Sequence, residues 1–292
     1  TIILFAIFSN TDKKMATQKA KWRKIIGGTL LIYLLAGWIF YANQERLLFR
    51  PVVIPTETAL KINQPHEEIS IPINQQDTLH ITRFTTNQLA KGAILYFHGN
   101  RQNVEWYAHF ATIFTESGYE VFMMDYPGYG KSRGEISETK MYEWSHVVYS
   151  IARKTYPPSQ LIIYGKSLGS GIAAQLAAKR DCRYLIAETP YYDLPSVLSH
   201  YAPVYPFHLL MHFQFPTHAY LQQVTAPVLL IHGTADGVVA YENSIRLSNV
   251  FKKGDQLITI EKGSHNDLYD FPITIAAIKK TIRVIKYLVI IL

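Results

Sequence analysis

Hydrophobic and polar positions divide the chain into stretches of different periodicity. From Ile25 to Ala42 the sequence IIGGTLLIYLLAGWIFYA is uncharged, with Lys24 and Glu45 as the nearest charges on either side. At about 1.5 Å per residue, roughly 18 to 20 helical residues cover most of a hydrocarbon core of about 30 Å, so this run predicts a membrane span. After a linker around Arg50 to Pro55 the pattern changes. HEEISIPI and TLHITRF alternate apolar and polar positions about the polar turn Asn74 to Asp77, which predicts an antiparallel hairpin. Beyond it, GAILYFHG, YEVFMMDYPG, QLIIYGKS, RYLIAETP, PVLLIHGT and QLITIEKG are short apolar runs bounded by turn residues, as strands buried on both faces are. Helical patterns separate them, clearest where Met141, Trp144, Val148 and Ile151 recur at three- and four-residue spacing. The alternation predicts an α/β fold: a mostly parallel eight-stranded sheet, flanked by helices through right-handed crossovers and entered through the hairpin.

Charge adds an orientation to the span. The net charge of +7 owes most of its excess to Lys13, Lys14, Lys19, Lys21, Arg23 and Lys24, crowded just before the apolar run. A basic flank directs that side to the cytoplasm, and Trp22, Trp38 and Tyr41 lie where amphipathic rings favour the interface. The expected organisation is a basic leader over 1–24, a signal anchor over 25–42 and a catalytic domain over 43–292 on the extracytoplasmic side. A cleaved signal peptide competes, but the apolar run exceeds a usual signal core and no clean A-x-A site follows it. The first methionine is Met15, and a chain starting there would keep MATQKAKWRK as its leader, so residues 1–14 also read as translated upstream sequence. No nucleic-acid signature accompanies the basic charge. Cys182 is the single cysteine, which excludes an intramolecular disulfide and offers no cysteine metal site. With 48% hydrophobic residues, one large core plus a span fits the composition better than two soluble domains.

The strongest chemical signal is Gly165-Lys166-Ser167-Leu168-Gly169, set between the strand LIIYG and the helical run IAAQLAAKR. A strand-to-helix turn this sharp strains the residue at its apex, needs small neighbours and leaves the serine hydroxyl above the sheet. Ser167 is therefore the candidate nucleophile, with Gly165 and Gly169 as the elbow glycines; Ser170, inside the helix, reads as packing or hydrogen bonding. A serine hydroxyl needs a base, and the base an anion. In this fold class the acid and then the histidine follow the serine in the chain, each on a loop past a strand end. Asp236 after PVLLIHG and His265 after QLITIEKG fit. Asp193, Asp267 and Asp270 are lesser candidates for the acid, while His98 and His232, each before a glycine, read as turn or hydrogen-bonding residues. The oxyanion donors are expected at the Leu168 N–H and in the loop His98-Gly99-Asn100-Arg101, with Asn100 preferred and Arg101 as the fallback.

HGN, DYPGYGKSRG, GKSLGSGIA, AETPYYDL, IHGTADGVV and GSHNDL, in that order, resemble the α/β-hydrolases of the serine aminopeptidase-like and monoacylglycerol-lipase-like branch, near the membrane-anchored depalmitoylase and lysophospholipase relatives. The likeness runs from about Gln44 to Phe271. It implies the α/β-hydrolase fold and esterase, thioesterase or lipase chemistry on a small acyl ester or lipid-like substrate, with no metal, no organic cofactor and no obligate protein partner. A short lid is expected over 194–225, where PSVLSHYAPVYPFHLLMHFQFP is rich in aromatic and aliphatic residues suited either to an acyl pocket or to plain packing. Two rivals stand beside this reading. One is a serine peptidase on short peptides, with Glu188 as the acidic group for a substrate amino terminus; the other is a non-catalytic membrane-anchored binding protein. IKKTIRVIKYLVIIL is expected to be the last helix, with an unusually apolar end.

Overall fold

The computed structural model describes residues 2–283, of which 2–14 and 16 are described by their backbone alone. The chain divides into two compact units, residues 1–47 and 48–292. The first is the helix α1 (Ile2–Leu48), which runs unbroken from the basic leader through the apolar run. Its portion Thr17–Leu48 is long and apolar enough to cross a membrane, with a mean hydropathy of 1.9 over its most apolar window. Leu31, Ile32 and Trp38 lie exposed on it. Glycines at 27 and 28 weaken helix propensity by about 1 kcal/mol each in water, so the helix gains most in a solvent that cannot hydrogen-bond its backbone.

The second unit is built on an eight-stranded sheet. Its strands are β2 (His66–Pro72), β3 (Thr78–Phe84), β4 (Ala93–Phe97), β6 (Glu120–Met124), β7 (Leu161–Lys166), β8 (Tyr184–Glu188), β9 (Val228–Gly233) and β10 (Gln256–Ile260). They lie in the order β10-β9-β8-β7-β4-β6-β3-β2. Two further strands, β1 (Arg50–Pro51) and β5 (Arg101–Gln102), form a separate parallel pair. The hairpin is antiparallel, with Ile69 opposite Ile81. Its turn closes because Asn74 Oδ1 accepts from the Gln76 and Asp77 N–H groups, both at 2.8 Å. β3 also runs antiparallel to β6, and the pairs from β6 through β4, β7, β8 and β9 to β10 are all parallel. The sheet is thus mostly parallel, and the expected α/β architecture is what the chain forms.

Period-two alternation sends successive side chains of the central strands to opposite faces, and each face has its own core. Leu95 and Phe97 pack with Met141, Trp144 and Val148 of α4 (Glu138–Ala152) and with Ile172 and Leu176 of α5 (Leu168–Lys179). Ile94 and Tyr96 pack on the other side with the short helices α2 (Val104–Tyr107) and α3 (Thr112–Glu116) and with Ile278 and Ile282 of α10 (Pro272–Ile282). Ser137 caps α4, its side chain accepting from the Lys140 N–H. Between β8 and β9 the region of the expected lid holds three short helices, α6 (Leu194–Tyr201), α7 (Phe207–Leu210) and α8 (Thr217–Leu221), and α9 (Glu242–Ser248) follows β9. α10 takes up the start of the expected last helix; the apolar end from 284 onward lies outside the described residues.

Parallel alignment has a functional consequence. The carboxyl ends of β4, β7, β9 and β10 share one rim of the sheet, and the loops carrying residues 98–103, 167, 236 and 265 open there. Trp144 is the largest wholly buried side chain and lies between α4 and the sheet. Replacing it by alanine should destabilise the protein by about 3–5 kcal/mol, read as a lower midpoint with unchanged slope in denaturant unfolding followed by far-UV circular dichroism.

Candidate active site

Ser167 stands between β7 and α5 with φ 50° and ψ −117°. That conformation is costly for a residue with a side chain, and its neighbours explain how it is held. A methyl group on Gly165 would overlap the Gly169 carbonyl, and one on Gly169 would overlap the carbonyl of Phe97 at the end of β4. The two glycines thus let the first turn of α5 press against two strand ends. The Ser167 N–H donates to Glu188 O at 2.9 Å, and Ser167 O accepts from the Ser170 N–H at 2.8 Å. Leu168 is the first residue of α5, so its N–H has no acceptor within the helix.

His265 meets this serine from the loop after β10. Its Nε2 lies 3.0 Å from Ser167 Oγ, and its Nδ1 lies 2.7 Å from Asp236 Oδ2. Asp236 follows β9 and is tied from several sides: its Oδ1 accepts from the N–H groups of Val238 and Val239, both at 2.8 Å, and its Oδ2 lies 3.1 Å from His232 Nε2. Burial pushes the Asp236 carboxyl up, but hydrogen bonds from His232, His265 and Val239 outweigh burial and hold it well below the usual carboxylate range. Two of the other carboxylates weighed from the sequence are occupied elsewhere. Asp193 caps α6 by accepting from Ser196 N–H at 2.7 Å, and Asp267 accepts from Ser264 N–H at 2.7 Å, which fixes the turn around His265. Asp270 ends a short helical turn, Leu268–Asp270.

On the opposite side of Ser167 lies the loop after β4. A Cβ on Gly99 would stand in ordinary contact with that of Ser167, at 3.8 Å, but would overlap the Tyr107 hydroxyl, so glycine at 99 lets the loop pack against Tyr107 beside the serine. His98 is fully buried, stacked near Tyr107 and Tyr126, with its Nδ1 2.7 Å from Gly99 O. Burial lowers its basicity, against a smaller pull from Asp125. Asp125 Oδ1 also accepts from Val104 N–H at 2.8 Å, which seats α2 beneath the same loop.

A buried charged pair lies beside Ser167. Lys166 donates to Glu188, which also accepts from the Tyr164 hydroxyl; Tyr164 and Tyr269 hydroxyls are 3.1 Å apart, and Lys166 Nζ lies 3.4 Å from His265 O. Glu188 is 0% exposed. It is therefore closed to a substrate amino terminus, which corrects the expectation that made it the peptidase anchor: a buried carboxylate keeps its charge by pairing, and its partners here are Lys166 and Tyr164. α6, α7 and the start of α9 line a cleft of about 510 Å³ with residues such as His200, His208, Glu242 and Arg246, and Ser167 is not among its walls. Among the described residues no cluster of histidine, cysteine and carboxylate side chains is arranged to hold a metal ion.

The family model for "Serine aminopeptidase, S33", of the hydrolase type, matches residues 88–214. The esterase Pf2001 of Pyrococcus furiosus superposes with a TM-score of 0.62 at 16% identity, covering 80% of this chain and 97% of that one. The chain has the α/β-hydrolase fold and is similar in sequence to members of that superfamily. Among curated α/β-hydrolase relatives, alpha/beta hydrolase domain-containing protein 17C of Xenopus tropicalis is 27% identical over 179 residues, 60% of this chain and 56% of that protein. YfhR of Escherichia coli K12 is 26% identical over 186 residues, 62% of this chain and 65% of that protein. The match thus spans between about half and two-thirds of these relatives' own length. The family match ends before Asp236 and His265, which the fold brings beside Ser167.

Sequence reasoning missed the Lys166–Glu188–Tyr164–Tyr269 network and the second imidazole on Asp236. The signals were present: a lysine inside a buried strand, and a histidine four residues before an aspartate across a strand-end turn. Two predictions follow from the charges. Because the folded Asp236 carboxyl titrates below its unfolded value near 4, its stabilisation is complete above about pH 4 and lost as pH falls through the folded value. The stability gap between wild type and Asp236→Asn, from urea titrations, should be constant from pH 5 to 7 and shrink below about pH 4. Lys166→Met leaves a buried carboxylate unpaired and should cost about 3–5 kcal/mol in the same measurement, with part recovered in Lys166→Met/Glu188→Gln.

Proposed function

We propose that this α/β-hydrolase is a serine hydrolase that cleaves carboxylic ester or thioester bonds of acyl or lipid-like substrates through an acyl-enzyme. The observation carrying the proposal is the continuous contact from Ser167 Oγ through His265 to Asp236, at 3.0 and 2.7 Å. In this reading His265 Nε2 takes the hydroxyl proton as Ser167 Oγ attacks the acyl carbon. The buried, ionised Asp236 holds the imidazole with Nδ1 protonated and stabilises the imidazolium that forms. The tetrahedral oxyanion accepts from the Leu168 and Asn100 N–H groups, each donor worth roughly 3 kcal/mol. Collapse expels the alcohol or thiol, which takes the proton from His265, and water repeats the sequence in reverse on the acyl-enzyme. His232 acts as a positioning residue that fixes Asp236.

The apolar helix supports a membrane anchor over 25–42, preceded by a leader over 1–24 and followed by the catalytic domain over 43–292 with a short lid over 194–225. The basic flank supports a cytoplasmic N-terminus and an extracytoplasmic catalytic domain. An anchor keeps the site near lipid, which favours acyl or lipid-like substrates. The peptidase reading loses its one candidate anchor, since Glu188 is occupied by Lys166 and Tyr164.

The test uses the full chain in detergent micelles with a fluorophosphonate probe and p-nitrophenyl esters and thioesters of graded chain length. Wild type should label and turn over, with kcat/KM rising from acetate to medium chains. Ser167→Ala should lose labelling and at least about 10⁴-fold in turnover. Labelling that survives in Ser167→Ala would refute the assignment.

A further inference from the structure

The loop assigned an oxyanion donor is held by a segment more than forty residues before it in the chain. β1 and β5 pair in parallel, Arg50 beside Arg101 and Pro51 beside Gln102, apart from the central sheet. The Asn100 side chain donates through Nδ2 to Leu48 O, and Asn103 Nδ2 donates to Val52 O at 3.1 Å. Val52 N–H donates to Gln102 O at 3.3 Å, while Val52 O accepts from Gly130 N–H at 3.0 Å and Ile54 N–H donates to Gly130 O at 2.8 Å. From the other flank the Tyr129 hydroxyl donates to Asn100 O at 2.8 Å. Phe49 anchors the segment in the core, 3% exposed and edge-on to Phe213 with ring centroids 4.7 Å apart.

The loop needs this support. Gln102 sits at φ 70°, a left-handed conformation that costs a non-glycine residue about 1–2 kcal/mol and persists only where the surroundings enforce it. Asn100 itself lies in a bend between two strands, where no sheet ladder of the central core fixes its N–H direction. An oxyanion donor acts only if its direction is set before charge develops, within about 0.5 Å. The Asn100 carboxamide ties that peptide to Leu48, the residue at which α1 ends.

We infer that Leu48–Val53 is a positioning strap: it orients the Asn100 N–H toward the oxyanion, so that turnover depends on the stretch joining the apolar helix to the catalytic domain. Asn100 through its side chain, and Asn103, are the positioning residues of that strap. The inference rests on the proposed serine hydrolase reading and deepens it, because Leu48 and the oxyanion donor become one mechanical unit. A pull on Leu48 or a loss of β1 reaches the donor without passing through the sheet core.

Two full-chain variants test the strap in detergent micelles. Asn100→Asp keeps the backbone N–H and the side-chain size but replaces the donor to Leu48 by a second acceptor. Val52→Pro removes the N–H that pairs with Gln102, at a residue remote from Ser167 in the chain and 44% exposed. Each should lower kcat by about 10- to 100-fold on a p-nitrophenyl ester, the range for a displaced oxyanion donor, with KM within about twofold and the thermal midpoint nearly unchanged. The control Leu89→Thr, 95% exposed and outside the strap, should match wild type. Turnover within twofold of wild type in folded Asn100→Asp and Val52→Pro overturns the strap. Ser167→Ala separates the two readings: if it retains turnover the hydrolase assignment itself fails, whereas if it is dead and both strap variants are fully active only the strap fails. Should either variant not fold, amide hydrogen exchange on the unmutated chain decides. The Val52 N–H should be protected to within tenfold of the β4 amides, and free exchange there would refute the attachment.

Discussion

Ser167 occupies a backbone conformation that costs on the order of 1–3 kcal/mol, and much of the second unit is arranged so that this conformation is nonetheless the stable one. β7 carries the chain into the turn, α5 carries it out, and Gly165 and Gly169 allow helix, turn and the end of β4 to come together with only backbone between them. The same closeness brings the His98–Asn100 loop against the serine from one side, and parallel strand alignment brings β9 and β10 to the same rim with the acid and the histidine. A wider contact at Gly169 would move the serine, the helix N-terminus and the β4 loop apart together.

Charge is arranged in two layers around that turn. Above the sheet, Asp236 is shared by two imidazoles and two backbone N–H groups, so the carboxylate stays ionised although its side chain is fully buried. Below it, Lys166 and Glu188 neutralise one another, with Tyr164 satisfying the remaining carboxylate oxygen and Lys166 reaching toward the His265 carbonyl. A buried pair of this kind contributes little net stability compared with apolar packing, but it is expensive to break. Its value here lies in location: it joins the strand before the nucleophile to the loop of the base.

The loop after β4 differs from these elements because no ladder of the central sheet holds it. Its support comes from Asp125 and Tyr129 on one flank and from the segment that follows α1 on the other. The sheet thus provides a rigid floor, while the loop proposed to supply an oxyanion donor hangs on polar contacts at the periphery.

The sequence by itself determined the alternation of strands and helices, the apolar helix, the Gly-x-Ser-x-Gly turn and the two polar strand-end loops with Asp236 and His265. Each is written in a local signal, a period of two or 3.6, a glycine spacing or a turn after a buried strand, and local signals survive without knowledge of packing. Tertiary structure decided which of four carboxylates faces the histidine, that Glu188 is spent on Lys166, that His232 braces the acid and that Asn100 is tied to Leu48. Those contacts join residues up to 52 positions apart. No periodicity encodes them, because they depend on how strand ends are brought to one rim and on which buried polar groups must find partners there.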